Sequence, residues 1–249
     1  MVPILFLHNP KAGGTSVAAA LRQKFDPGDV SPYFDNSPAE RRPEDWSSYS
    51  RYRFVAGHFG YEVKQYFPHH VLVTNFRHPV RRIVSMYNYW RSYPLELLPE
   101  AIRQADNGPT LAHQMSLSEF VRSRNPYLSL YLDNFHVRQL TGSGWIGRRR
   151  FGDMLLAKLR IRKMPWFYVC ERPDLSVTWL RSVFPEMRDT PIPHENVTTS
   201  ETETALTSSD IRVIEERNKA DLALYGFALK QLERRALTSS ACLIRRQEP

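Results

Sequence analysis

Cysteine is nearly missing from this chain: Cys170 and Cys242 are the two copies in 249 residues. That is too few for a disulfide framework or for metal-ligand spacing, and nothing here requires an oxidising compartment. Cys170 closes the apolar run Trp166-Phe167-Tyr168-Val169-Cys170 and reads as a small buried residue, while Cys242 falls in a polar tail. Long apolar stretches are missing too. No segment approaches the roughly eighteen apolar residues of a membrane span, and the short run at 1–7 has no basic flank of the kind a secretory signal carries. The expectation is a cytoplasmic protein without a membrane span. Carboxylates are in deficit, with 26 Asp and Glu against 34 Lys and Arg, a net charge of +8. The excess lies in Arg148-Arg149-Arg150 and in Lys158, Arg160, Arg162 and Lys163, which form either a solvated helix face or a track for an anionic partner. Internal repeats and low-complexity blocks are also lacking.

What is present is a globular composition, 42% hydrophobic and 12% aromatic, enough for one substantial α/β domain. Nearly continuous apolar runs at 4–7, 54–56, 71–76 and 167–170 read as strands buried on both faces. Helical patterns at 16–25, 79–93, 117–124, 154–159 and 175–184 alternate with them. That alternation predicts a doubly wound parallel sheet flanked by helices in a single domain. The domain is expected over 1–235, with 236–249 a frayed tail. Prolines mark two expected loops, 26–50 over the active face and 93–116 as a lid or acceptor loop.

In such sheets ligands sit at the carboxyl ends of the strands. His8, Lys11, His58 and Arg77 all fall at or just after such ends. The first strand runs into His8-Asn9-Pro10-Lys11-Ala12-Gly13-Gly14-Thr15-Ser16, the layout of a phosphate-cradling loop before a helix N-terminus. In a nucleotide triphosphatase loop the Lys follows the glycines; here it precedes them. A tight turn with Thr15 or Ser16 capping the helix is the simpler alternative. The third strand runs into Arg77-His78-Pro79-Val80-Arg81-Arg82-Ile83-Val84-Ser85-Met86-Tyr87. Arg77 with Ser85 makes a fork and a hydroxyl for a second, isolated phosphate, if the helix passes across the bound group. Arg81 and Arg82 read as solvated helix charges, with Arg81 near enough in sequence to line the same groove.

These two segments together resemble the sulfotransferase family, whose donor is 3′-phosphoadenosine 5′-phosphosulfate. Phe54-Val55-Ala56-Gly57-His58-Phe59-Gly60 is similar to the Gly-His segment of the branch that sulfates uronic acid residues at the 2-hydroxyl. Asn196-Val197-Thr198, with 210–232 carrying Asp221 and Tyr225, is similar to that branch's C-terminal helix. The resemblance implies a P-loop-like fold and sulfuryl transfer from that donor to a carbohydrate hydroxyl, with no metal required and no nucleic acid partner. It assigns the 5′-phosphosulfate to Lys11, Ala12, Gly13, Gly14, Thr15 and Ser16, and the 3′-phosphate to Arg77 and Ser85. Lys11 is then the cation beside the leaving oxygen and His58 the general base, with Glu62 and His8 as alternatives. Ala56 departs from the pattern, since uronyl relatives tend to have a second His there. Asn196 and Thr198 would touch the donor. Positions 134–142, with Arg138 and Gln139, would line the cleft.

Acceptor recognition is thinly encoded. Tyr87, Tyr89, Trp90 and Tyr93 either stack on sugar rings or belong to the core. Two other readings stay open. A small-molecule or nucleotide kinase would need metal-binding carboxylates, and no Asp stands at the end of a core strand. A basic module binding polyanions would need no specific nucleotide.

Overall fold

The run Ile4–Leu7 forms strand β1, and all four of its side chains are buried. The reason is its position: it pairs in parallel with β2 (Phe54–Gly57) on one side and β3 (Val71–Phe76) on the other. A short β4 (Tyr168–Val169) pairs in parallel with the far end of β3, through Asn75↔Tyr168 and Phe76↔Val169. The four strands lie in the order β2-β1-β3-β4. The chain therefore steps outward in one direction to reach β2 and in the other to reach β3 and β4. The crevice of such a sheet opens where the direction changes, at the carboxyl ends of β1 and β3. The computed structural model describes residues 1–32, 46–142, 151–192 and 206–245.

Helix α1 (Gly14–Arg22) follows β1, and α2 (Pro79–Arg91) follows β3 with Pro79 at its first position. The stretch from 93 to 116, expected as a lid or acceptor loop, contains α3 (Glu100–Arg103) and α4 (Gly108–Gln114) instead. Its prolines misled the reading because Pro109 opens α4, where a missing N–H does no harm. Asn107 caps α4 by accepting from the Thr110 N–H at 2.9 Å. Gly108 lies so close to Trp90 that a Cβ there would stand 2.2 Å from the indole. Together with α5 (Leu117–Arg122) and α6 (Pro126–Leu132), these helices build a second apolar cluster around Met86, Tyr87, Trp90, Phe120 and Tyr131. Tyr87 and Trp90 are thus core residues, whereas Tyr89 on the same helix is exposed.

Behind the sheet lie α7 (Phe135–Thr141), α8 (Asp153–Lys163) and α9 (Pro173–Val183). The expected helix from Asp210 is two helices, α10 (Ser208–Arg217) and α11 (Lys219–Arg245), separated by the buried Asn218. Helix α11 passes position 235 without a break, and Ala236 is buried. No helix among the described residues is long and apolar enough to cross a membrane.

Asp210 ties α10 to α5. Its carboxylate accepts from the Thr207 N–H and hydroxyl, from Ser118 Oγ at 2.7 Å and from Arg122 Nε at 2.9 Å. Burial alone would push its pKa up, but these donors outweigh burial and hold it at about 2. A depressed acid stabilises the fold above its unfolded value of 3.8, and that contribution fades as pH falls toward about 2. Asp210→Asn should therefore lose about 1–3 kcal/mol at neutral pH. Urea unfolding of both proteins from pH 7 downward should show the difference shrinking through that window; a constant difference would show that the charge is not what matters.

Candidate functional site

At the end of β1 the chain turns beneath its own loop. His8 is 6% exposed and Asn9 is fully buried. The loop is fastened from β3 by one side chain, Asn75. Its Nδ2 donates to the carbonyls of Asn9 and Ala12, both at 3.0 Å, and its Oδ1 accepts the Asn9 N–H at 2.7 Å. One residue earlier, Thr74 Oγ1 donates to the Leu7 carbonyl at 2.7 Å. Between the fastened points the loop contains two left-handed residues, Lys11 (φ 64°) and Gly13 (φ 74°). A lysine with positive φ is strained and persists because its surroundings hold it. Here Arg77 Nη1 donates to the Lys11 carbonyl at 3.1 Å.

The two glycines have separate reasons. Gly13 takes the left-handed turn and lies against Tyr168 and Cys170. Gly14 has no room for a side chain, since a Cβ would stand 2.1 Å from His8 Cδ2. Gly13 is the N-cap of α1 and makes no side-chain capping bond. The cap is thus Gly13 and not Thr15 or Ser16, while the tight turn with glycines set by geometry is as the simpler reading has it. The first N–H groups of α1 have no acceptor inside the helix and carry its positive dipole end.

Lys11 and Arg77 are near enough for their charges to interact. The Lys11 ammonium lies 4.0 Å from the centroid of the Tyr89 ring. Burial, and then the Arg77 charge, pull its pKa down to about 8. The Nε of Arg77 is buried and without a hydrogen-bond partner. Ser85 is buried on α2 one turn before Tyr89, so both lie on the same side of that helix. Tyr89 thus brings one end of this face of α2 against the loop.

His58 is the first residue after β2, partly exposed, with its ring centroid 4.8 Å from that of His8. Burial, then the charges of His58 and Lys11, hold the His8 imidazole well below its usual pKa. Glu62 accepts the Gly60 N–H at 3.1 Å, and its other carboxylate oxygen is buried without a partner. Gln139 on α7 joins the two strand ends, donating from Nε2 to the carbonyls of His8 and Phe59, both at 3.1 Å. The loop after β1, His58 and Arg77 therefore follow the carboxyl ends of the three neighbouring strands β1, β2 and β3.

Arg82 is not a solvated charge. It is fully buried, donates to the Tyr131 carbonyl at 2.6 Å and lies 5.3 Å from the Phe135 ring. Burial lowers its pKa to about 10, against the pull of Asp221. It occupies the face of α2 that packs on α6 and α7, opposite to the exposed Arg81. Asp221 accepts the N–H groups of His136 and Val137 at 2.9 Å each, and so caps α7. Asn134 returns the arrangement by accepting the N–H groups of Ala220 and Asp221 at the start of α11.

Two site residues, Asn75 and Glu171, escaped the sequence reading, as did the contacts of Gln139. Asn75 was visible only as an amide inside an apolar strand. Gln139 was noted, but not its two strand-end contacts. Glu171, just after β4, accepts the His78 N–H at 2.9 Å and the Tyr225 hydroxyl at 3.0 Å, fastening α11 to the segment that begins with Arg77. Asn196, Thr198 and Arg148–Arg150 lie outside the described residues. No protein-family model matches this sequence, and no curated protein matches it at a significant level.

The electrostatics make a stability prediction. Between about pH 8 and 10.5 the folded chain has lost the Lys11 proton while the unfolded chain keeps it. Stability contributed by this group therefore rises with pH between those values, and below about 8 the full penalty applies. Lys11→Met should raise Tm by a few degrees at pH 7, and the gain should disappear at high pH. Calorimetry across that range checks it; a less stable mutant at pH 7 would show that the ammonium is well satisfied where it lies.

Proposed function

We propose that this chain is an O-sulfotransferase with a P-loop-like, doubly wound fold, using 3′-phosphoadenosine 5′-phosphosulfate and acting on a carbohydrate hydroxyl in the cytoplasm. The observation that carries the reading is the pair of cations, Lys11 in the loop that leads into α1 and Arg77 donating to its carbonyl, just before a helix whose N-cap is the glycine Gly13. An arrangement that concentrates positive charge and desolvates it is complementary to a multiply charged anion. The order of Lys before the glycines matches the resemblance to sulfotransferases.

In this reading the N–H groups from Ala12 to Ser16 hold the 5′-phosphosulfate. Arg77 and Ser85 hold the 3′-phosphate. His58 takes the proton of the attacking hydroxyl, and Lys11 steadies the negative charge left on the phosphate oxygen as the S–O bond to it breaks. The exposed Tyr89 ring offers a face for a sugar once Lys11 turns from it to the anion. A kinase reading gains nothing from Glu171, whose two oxygens are already engaged by His78 and Tyr225.

Adenosine 3′,5′-bisphosphate should bind in EDTA, and its affinity should fall as pH rises through about 8, where Lys11 loses its charge. Arg77→Ala should weaken the bisphosphate by about 2–5 kcal/mol and adenosine 5′-phosphosulfate much less. Titration calorimetry checks all three; an absolute Mg²⁺ requirement or equal weakening of both ligands would sink the assignment.

His58→Ala should keep bisphosphate affinity and Tm while sulfation falls by about two to four orders of magnitude. Full turnover in the folded mutant would move the proton transfer to another group.

A further inference from the structure

Helix α8 is seated with its small and apolar inner face and yet shows leucines outward. Ala157 and Ile161 are fully buried, and Arg160 stacks on Tyr61 at 3.3 Å, so the helix cannot roll to bring other residues inside. Outward stand Leu155, 61% exposed, Leu156 at 37% and Leu159 at 42%, with Phe151 entirely exposed just before the helix. Isolated exposed leucines are ordinary, but a contiguous patch is not.

Helical geometry puts Leu155 and Leu159 on one stripe, which continues one turn later into Arg162 and Lys163. Both cations are exposed. Arg162 is set beside the stripe by Phe227 of α11, 5.2 Å from its guanidinium. The one carboxylate of the helix, Asp153, is 6% exposed, so no acid interrupts the outward face. The surface is thus a short apolar strip ending in cations on a protein of net charge +8.

That combination distinguishes between occupants. A protein groove that accepted the leucines would have to accept Lys163 beside them, and lysine is depleted at such interfaces. A lipid headgroup layer takes leucine and phenylalanine at its acyl boundary and lysine and arginine at its phosphates. We infer that α8 is a docking face for an anionic lipid bilayer, lying along the surface with Phe151, Leu155 and Leu159 inserted and Arg162 and Lys163 on the lipid phosphates. This does not depend on the sulfotransferase reading, because none of these residues belongs to that site.

The test is sedimentation of the full chain with phosphatidylcholine vesicles, with and without about 30 mol% phosphatidylserine. The wild type should partition about tenfold more strongly onto the anionic vesicles, and salt should weaken it. Leu155→Ser/Leu159→Ser should lose about tenfold on both kinds of vesicle. Arg162→Gln/Lys163→Gln should lose the preference for phosphatidylserine alone. Circular dichroism and Tm should be unchanged in both variants, as expected for surface positions. Equal binding to neutral and anionic vesicles overturns the proposal, as does a serine variant that binds like the wild type. A dimer in sedimentation equilibrium that the serine substitutions abolish, without vesicle binding, would assign the face to a second copy of the chain instead.

Discussion

The amide of Asn75 is the contact on which the candidate site depends. It lies fully buried in β3 and fixes the loop after β1 at two carbonyls and one N–H. An unpaired amide there would be costly, so the loop is selected by the need to satisfy it. The same strand delivers Arg77 two residues later, and Arg77 reaches back to the Lys11 carbonyl. One strand end therefore sets both the shape of the loop after β1 and the second cation beside it. Lys11 can hold a left-handed backbone because this frame fixes the residues on either side.

Behind the frame is a second layer, mostly of polar groups that cap one another. Asp221 caps α7 while Asn134 caps the start of α11. Arg82 is buried against Phe135, and Gln139 of α7 grips the ends of β1 and β2. Buried hydrogen-bonded groups of this kind specify one arrangement of elements more sharply than apolar packing does. Glu171 extends the same logic to α11, joining Tyr225 to the backbone at His78. The long C-terminal helix is thus coupled to the segment carrying Arg77 by side chains far apart in sequence.

The strands were legible because a parallel sheet buries both faces, and the sequence then shows unbroken apolar runs. β3 spans the expected 71–76, while β4 shrinks to Tyr168–Val169 because only two residues pair. The short helices α3, α4, α6 and α7 were not legible. Each is at most seven residues, too short to display a period, and Pro109 and Pro126 looked like breakers although both open helices. Lys11, Gly13, Gly14, His58 and Arg77 were legible because their place after strand ends is a matter of order along the chain. Arg82 was not, because whether a helix charge faces solvent or a neighbouring helix depends on packing that one segment does not encode. Asn75 failed for the converse reason: a polar residue inside a buried strand gives no hint of its partner, and that partner lies 66 positions away.

The geometry also ranks the groups proposed to take a proton. His8 is roofed by Gly14, which approaches so closely that no side chain fits between them. It is buried, and burial, with His58 and Lys11 beside it, holds its imidazole well below the usual pKa. Such a ring serves as a wedge under the loop. Glu62 has one oxygen on the Gly60 N–H and the other buried, with the left-handed Gly142 packed against its backbone. Moving either would undo a turn. His58 stands at the strand end, next to His8. Of the three, His58 is the one we propose as the base, because it stands partly exposed at a strand end.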